Sequence, residues 1–232
     1  MSIKSHPLKN WNVIEIIFLI IGLLTNTVLA LIYRYSTISI IYAYTSVVSA
    51  MLLIKRNVFG YAIAIVSSIL CICLSAQEHF FSEVITNSLA LLVDSAGLLI
   101  WHRKDKNEKG EVNISLVHRD EVAMVFISQL FLLYPYYLLL KAFDTELIYI
   151  SVFCLSLGLV SHYFLARSSA LSYSLFICKD LLVMILWFYA LIVKGSPNFG
   201  GLLVTIFYFF SDIYGAIKWK RDKEALLREL NG

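Results

Sequence analysis

The sequence predicts an all-α integral membrane protein of about eight transmembrane helices: two parallel three-helix repeats joined by a linker helix (3+1+3), plus one N-terminal helix. Three observations predict it. The 232 residues are 59% hydrophobic and only 15% charged, against roughly 45–50% and 25% in an average soluble domain. The apolar residues gather into eight runs, several of them long enough to cross a hydrocarbon core of roughly 30 Å. The fourth and eighth runs end on the same residue pattern. With a mean hydropathy of +0.78, such a chain cannot cover itself with polar surface in water, and its solvent is largely lipid.

The runs read as helices over roughly 13–33, 37–54, 58–76, 84–101, 121–140, 146–165, 170–193 and 202–219. They are long and unalternating, and within lipid each backbone amide must find its partner inside its own segment, which selects helices over strands. Ahead of the first run, Met1 to Trp11 carries Lys4 and Lys9. The run that follows is longer than a signal-peptide core and has no small-residue cleavage site, so it is read as a mature helix. Gln77, Glu78 and His79 sit in the very short connection between the third and fourth runs.

Charge fixes the orientation. Lys4, Lys9, Lys55, Arg56, Arg103, Lys104, Lys106, Lys109, Arg119, Arg167, Lys218, Lys220, Arg221, Lys223 and Arg228 fall on one side of eight spans. Arg34, Lys141 and Lys194 fall on the other, and Lys179 lies inside a span. This bias puts both termini in the cytoplasm of a cell (inner) membrane protein. It also supports the count, since losing one helix would mix the two sets. The polar stretch Arg103 to Asp120 reads as a solvated cytoplasmic linker whose interleaved acids cancel most of its field, which argues against nucleic acid as a partner. The cysteines Cys71, Cys73, Cys154 and Cys178 all lie in apolar runs. They read as small packing residues, not as disulfide or zinc partners.

The repeat divides the chain. Asp94, Gly97, Trp101 and Arg103 of the fourth run recur as Asp212, Gly215, Trp219 and Arg221 of the eighth, all 118 residues on. Asn87 is matched by Thr205. Both copies end on the same side, so the repeats are parallel, related by an axis along the membrane normal. Three helices reverse the chain, so an odd linker helix must stand between them. The divisions are 1–36, a tail and an extra helix; 37–103, the first repeat; 104–145, loop and linker helix; 146–221, the second repeat; and 222–232, a cytoplasmic tail. Each repeat's Trp is expected at the membrane interface, and each Gly at a close helix approach.

Ionisable residues deep in a bilayer are costly and point to function. Glu15 and Glu83 lie near helix ends and can reach water, whereas Asp94, Lys179, Asp180 and Asp212 lie deeper. On 3.6-residue spacing Asn87 and Asp94 share a face, as do Tyr208 and Asp212, and Tyr173, Phe176 and Asp180. Aromatic faces one and two turns from a carboxylate suit a flat, cationic or hydrogen-bonding ligand. Asn87, Asp94, Tyr173, Phe176, Asp180, Tyr208 and Asp212 are therefore the candidate substrate-binding set. Glu83, His162 and Lys179 are candidates for the pathway or for an ion pair, with Lys179 expected to reach Asp94 or Asp212 across the bundle. No phosphate loop, metal-ligand pair or nucleophile elbow is present in the sequence. No cofactor, no metal and no catalytic residue is expected, and an enzyme is disfavoured. A membrane sensor with a chromophore on Lys179 is the remote alternative, weakened because a repeat-paired helix follows that lysine.

Three helices, a linker and three more, each unit closed by Gly-x-x-x-Trp, resembles the PnuC family of vitamin-precursor transporters. The resemblance covers roughly residues 55–103 and 160–221 and is strongest over Asp212-x-Tyr214-Gly215-x-x-x-Trp219; Phe59-Gly60 and Phe81-Ser82-Glu83 also fit. It implies a full-length SWEET-like fold and import of nicotinamide riboside by facilitated diffusion, with a downstream cytoplasmic kinase trapping the product. Relatives carry thiamine, riboflavin or deoxynucleosides. Where the family has W-x-x-W-x-x-x-[ND] holding the substrate ring, this chain has Tyr173, Phe176 and Asp180. Where the family has Asn-x-Tyr-Gly, this chain has Asp94-Ser-Ala-Gly97. Three acids at 94, 180 and 212 fit a cation, and both nicotinamide riboside and thiamine are cations. A homo-oligomer is compatible with this reading.

Overall fold

Eight helices carry the chain: α1 Val13–Tyr33, α2 Thr37–Ile54, α3 Phe59–Gln77, α4 Phe81–Arg103, α5 Arg119–Ala142, α6 Ile148–Ala166, α7 Leu171–Ile192 and α8 Phe199–Asn231. The structure, a computed structural model, describes residues 11–33, 36–77, 81–107, 110–193 and 199–231. Lys4, Lys9, Arg34, Glu78, His79, Lys109 and Lys194 lie outside the described residues. Seven of the helices are long and apolar enough to cross a membrane, and α3 holds a shorter apolar stretch, Phe59–Leu74. The expected spans agree with the helices to within a few residues at most ends. The exception is α8, which does not stop near Trp219 but continues as helix to Asn231. Beyond the last apolar turn its residues alternate basic and acidic, and such a sequence remains a good helix former in water.

Two three-helix units result. Within the first, α2 packs on α3 and α3 on α4; within the second, α6 packs on α7 and α7 on α8. The units meet along two seams, α4 against α6 and α8 against α2. The two outlying helices sit alike: α1 packs on α2 at the start of the first unit, and α5 on α6 at the start of the second. Each opens with a glutamate in its first turn that reaches the basic residue just after the first helix of its unit. Glu15 bonds Lys55 at 2.9 Å and Glu121 bonds Arg167 at 2.8 Å. Glu15, one of the ionisable candidates, is thus a structural tie. It also takes Lys218 of α8 at 2.7 Å and the amide of Asn12 at 3.0 Å.

The ends of α2 and α6 are built alike, 112 residues apart. Each closes on a non-glycine residue in the left-handed region, Arg56 (φ 53°) and Ser168 (φ 57°). The amides of Arg56 and Asn57 return to Leu53 and Leu52, and those of Ser168 and Ser169 return to Leu165 and Phe164. This is a Schellman closure, in which two orphan helix carbonyls gain donors. The sequence hides it, because glycine, the usual residue at that position, is absent from both copies.

The Gly-x-x-x-Trp motifs work as cross-braces. At Gly97 an added Cβ would stand 2.6 Å from the Tyr61 ring, and at Gly215 it would stand 2.7 Å from the Tyr173 ring. Only glycine lets Tyr61 of α3 lie so close to α4, and Tyr173 of α7 so close to α8, as expected. The tryptophans depart from expectation. Both are 0% exposed, so neither ring is presented to lipid or water. Trp101 donates its indole N–H to Leu165 O and Ala166 O at the end of α6. Trp219 donates to Ile54 O at the end of α2 at 2.8 Å. Carbonyls freed at the end of one unit's first helix are thereby satisfied by the other unit's last helix, a stronger demand than interfacial comfort. Tyr61, Trp101, Trp219 and Tyr173 form one ring stack across the two units, with centroid separations of 4.8, 6.1 and 5.0 Å.

Beneath this stack lies the segment of residues 104–107 and 110–118, and it is docked against the bundle. Val112 is fully buried and its amide bonds Arg56 O at 3.0 Å, while the amide of Ser115 bonds Ser168 O at 3.1 Å. Arg56 pairs with Glu111 at 2.9 Å and Asp222 at 2.6 Å. Lys104 donates to Ser115 Oγ, Arg167 O and Ser168 Oγ at 2.7, 2.7 and 2.8 Å. Its burial, and secondarily the charge of Arg167, pull its pKa down to about 8. The segment is a strap joining the two α2/α6 ends, not the solvated linker its composition suggests.

Candidate functional site

A cavity of about 220 Å³ lies between the two units, bounded at the strap end by the ring stack. Seen from the residues upward, α4 brings Asn87 and Asp94, α6 brings His162, α7 brings Tyr173, Phe176 and Lys179, and α8 brings Tyr208 and Asp212. Six of the seven candidate binding residues therefore face one space. Asp180 does not. It is 1% exposed and sits behind Lys179, bonded to its ammonium at 2.8 Å. Glu83 falls in the first turn of α4, and its side chain lies outside the described residues.

The carboxylates of Asp94 and Asp212 occupy equivalent places but have different partners. Asp94 accepts across the α4–α6 seam from His162, whose Nδ1 lies 2.7 Å from Oδ1. The position equivalent to His162 on α2 is Ala50, which also lines the cavity. Among the described residues Asp212 thus has no histidine equivalent to His162 across its own seam. It lies beside the carboxyl of Asp180 and faces Lys179, which also approaches Tyr208. Lys179 was expected to reach Asp94 or Asp212 across the bundle. It does face Asp212, but its ion pair is with its α7 neighbour Asp180, because two flexible side chains on adjacent residues can converge despite the roughly 100° between their Cα–Cβ directions. Its ammonium stands 5.4 Å from the centroid of Phe176.

The aromatics form a wall. His162 meets Phe176 edge to face at 5.1 Å, and Tyr173 and Phe176 lie 6.1 Å apart. Tyr173 is held from behind by Gly215 and Trp219, so its position is inherited from the cross-brace. The opposite wall is small and hydroxylic: Ser46, Ser49, Ser67 and Ser68 from α2 and α3, with Tyr42 above them. Ser46 and Ser67 share a hydrogen bond of 2.6 Å. Sequence reading missed these serines, since hydroxyls are common in membrane helices and carry no charge to mark them. The 112-residue offset would have found two of them, because Ser67 and Ser68 stand where the second unit has Lys179 and Asp180. Chemically the lining offers one stacking wall, one hydrogen-bonding wall and two acids against one lysine and one histidine, with the third acid, Asp180, behind that lysine. No cluster able to hold a metal ion occurs among the described residues.

A cavity between two parallel three-helix units of a multi-pass membrane protein, closed at one end by paired braces, defines a membrane transporter. The fold matches the crystal structure of the vitamin B3 transporter PnuC with a TM-score of 0.84, over 97% of this chain and 99% of that one, at 18% identity. The family profile described as nicotinamide mononucleotide transporter matches residues 36–221. The chain belongs to that family, whose members are transporters, not enzymes. No curated protein sequence matches it.

Proposed function

We propose that this protein is a facilitator that imports a small cationic vitamin precursor, nicotinamide riboside in the first place, by alternating access between its two units. The observation that carries the reading is the aromatic wall of Tyr173 and Phe176 standing with the Asp212 carboxylate in one cavity between the two units. A flat cationic ring stacks on such a wall, and the acid balances its charge. A phosphorylated substrate fits less well, because the one lysine lining the space is already committed to Asp180. Both termini and the strap lie on the cytoplasmic side in this proposal, as the basic residues favour. Release then requires the ring stack and the strap to part, and intracellular phosphorylation makes uptake one-way.

Thiamine is the alternative substrate, also flat and singly charged. Purified protein in liposomes, given labelled nicotinamide riboside or thiamine, separates the two. Uptake of neither, with no shift in melting temperature from either, would sink the vitamin-precursor reading.

A further inference from the structure

Lys179 occupies a place that the function above leaves unexplained. It puts a positive charge on the wall where a cationic ring is expected to stack. Its ammonium lies over the Phe176 face and on Asp180 Oδ1. Its stem passes Gly158 of α6, where an added Cβ would stand 3.8 Å from its Cδ. The second oxygen of Asp180 is buried without a partner. A lone buried carboxylate is strongly disfavoured, and Lys179 is what neutralises it. On the facing wall, the equivalent positions are the uncharged Ser67 and Ser68. Asp94 is occupied by His162. Among the described residues Asp212 alone of the three acids has no close ion pair; it lies beside Asp180 and faces the Lys179 ammonium that Asp180 binds.

We infer that Lys179 is a specificity-determining residue: a resident counter-ion that neutralises Asp180 and leaves Asp212 to balance a ligand carrying one positive charge. The inference rests on the proposed function and adds the charge class of the ligand to it. Without Lys179 a second uncompensated carboxylate, that of Asp180, stands behind the wall, and the cavity draws cations more strongly. Without Asp212 it has no acid left for the ligand.

The test measures binding of nicotinamide riboside and of its uncharged 1,4-dihydro form to purified protein, and takes the ratio of the two affinities. Lys179→Met is expected to raise the preference for the cation about tenfold, a modest value for a charge pair in a partly desolvated site. Lys179→Arg is expected to keep the wild-type ratio. Asp212→Asn is expected to lower it about tenfold. A ratio unmoved by Lys179→Met overturns the inference. If that variant does not fold, a wild-type ratio in Asp212→Asn overturns it equally. Wild-type protein that binds neither form overturns the proposed function instead, so the two failures are distinguishable.

Discussion

The halves α1–α4 and α5–α8 agree at one end and differ in the middle. At the strap end the equivalences run pair by pair: Glu15–Lys55 with Glu121–Arg167, the α2 closure with that of α6, Gly97–Tyr61 with Gly215–Tyr173, and Trp101 with Trp219. In the cavity the correspondence fails. Ala50 stands for His162, Ala64 for Phe176, and Ser67 for Lys179. A brace must satisfy the same backbone carbonyls in both units, so the same residues recur. A ligand without two-fold symmetry needs two unlike walls, so the lining residues diverge. Even the shared ties differ in depth. Glu15 and Lys55 are buried, whereas the Arg167 side chain is 40% exposed, and an exposed pair contributes less.

The largest effects should come from the braces. Trp101→Ala and Trp219→Ala are each expected to cost about 3–5 kcal/mol, the range for removing a buried tryptophan. Thermal unfolding in detergent should show the two losses alike, and a large inequality would break the equivalence of the halves. Next come the glycines. Gly97→Ala and Gly215→Ala each drive a methyl into a tyrosine ring, at an expected cost of about 1–3 kcal/mol. Only Gly215→Ala should also weaken ligand binding, because Tyr173 lines the cavity and Tyr61 does not. Equal loss of affinity in both would contradict the unlike-walls account.

A smaller effect separates the walls directly. Phe176→Ala removes a stacking face worth about 1–2 kcal/mol and should weaken binding roughly tenfold. Ser67→Ala on the facing wall should change binding by less than about fivefold, since one neutral hydrogen bond has a net worth of about 1 kcal/mol. The smallest concerns Lys104. Its pKa in the folded protein, about 8, is below the ordinary lysine value of roughly 10.4. Between these values the unfolded chain binds more protons, so stability should rise with pH across that window. Melting temperatures compared on either side of it should show a rise in the wild type that Lys104→Met removes.

Hydropathy by itself placed the eight helices, and the 118-residue recurrence of Asp, Gly, Trp and Arg marked the parallel repeat. Lipid forces each segment to satisfy its own backbone, so helix positions are local information. The binding candidates were legible where a charge or amide stood in an apolar run, as with Asp94, Asp212 and Asn87. Ser46 and Ser67 were not, because nothing local distinguishes a cavity serine from a packing one. The tertiary structure alone decided that Trp101 and Trp219 are buried braces, that residues 104–107 and 110–118 form a docked strap, and that Lys179 belongs to Asp180. Each of these depends on which carbonyl, face or carboxylate a distant helix brings within about 3 Å, and no spacing along one helix contains that distance.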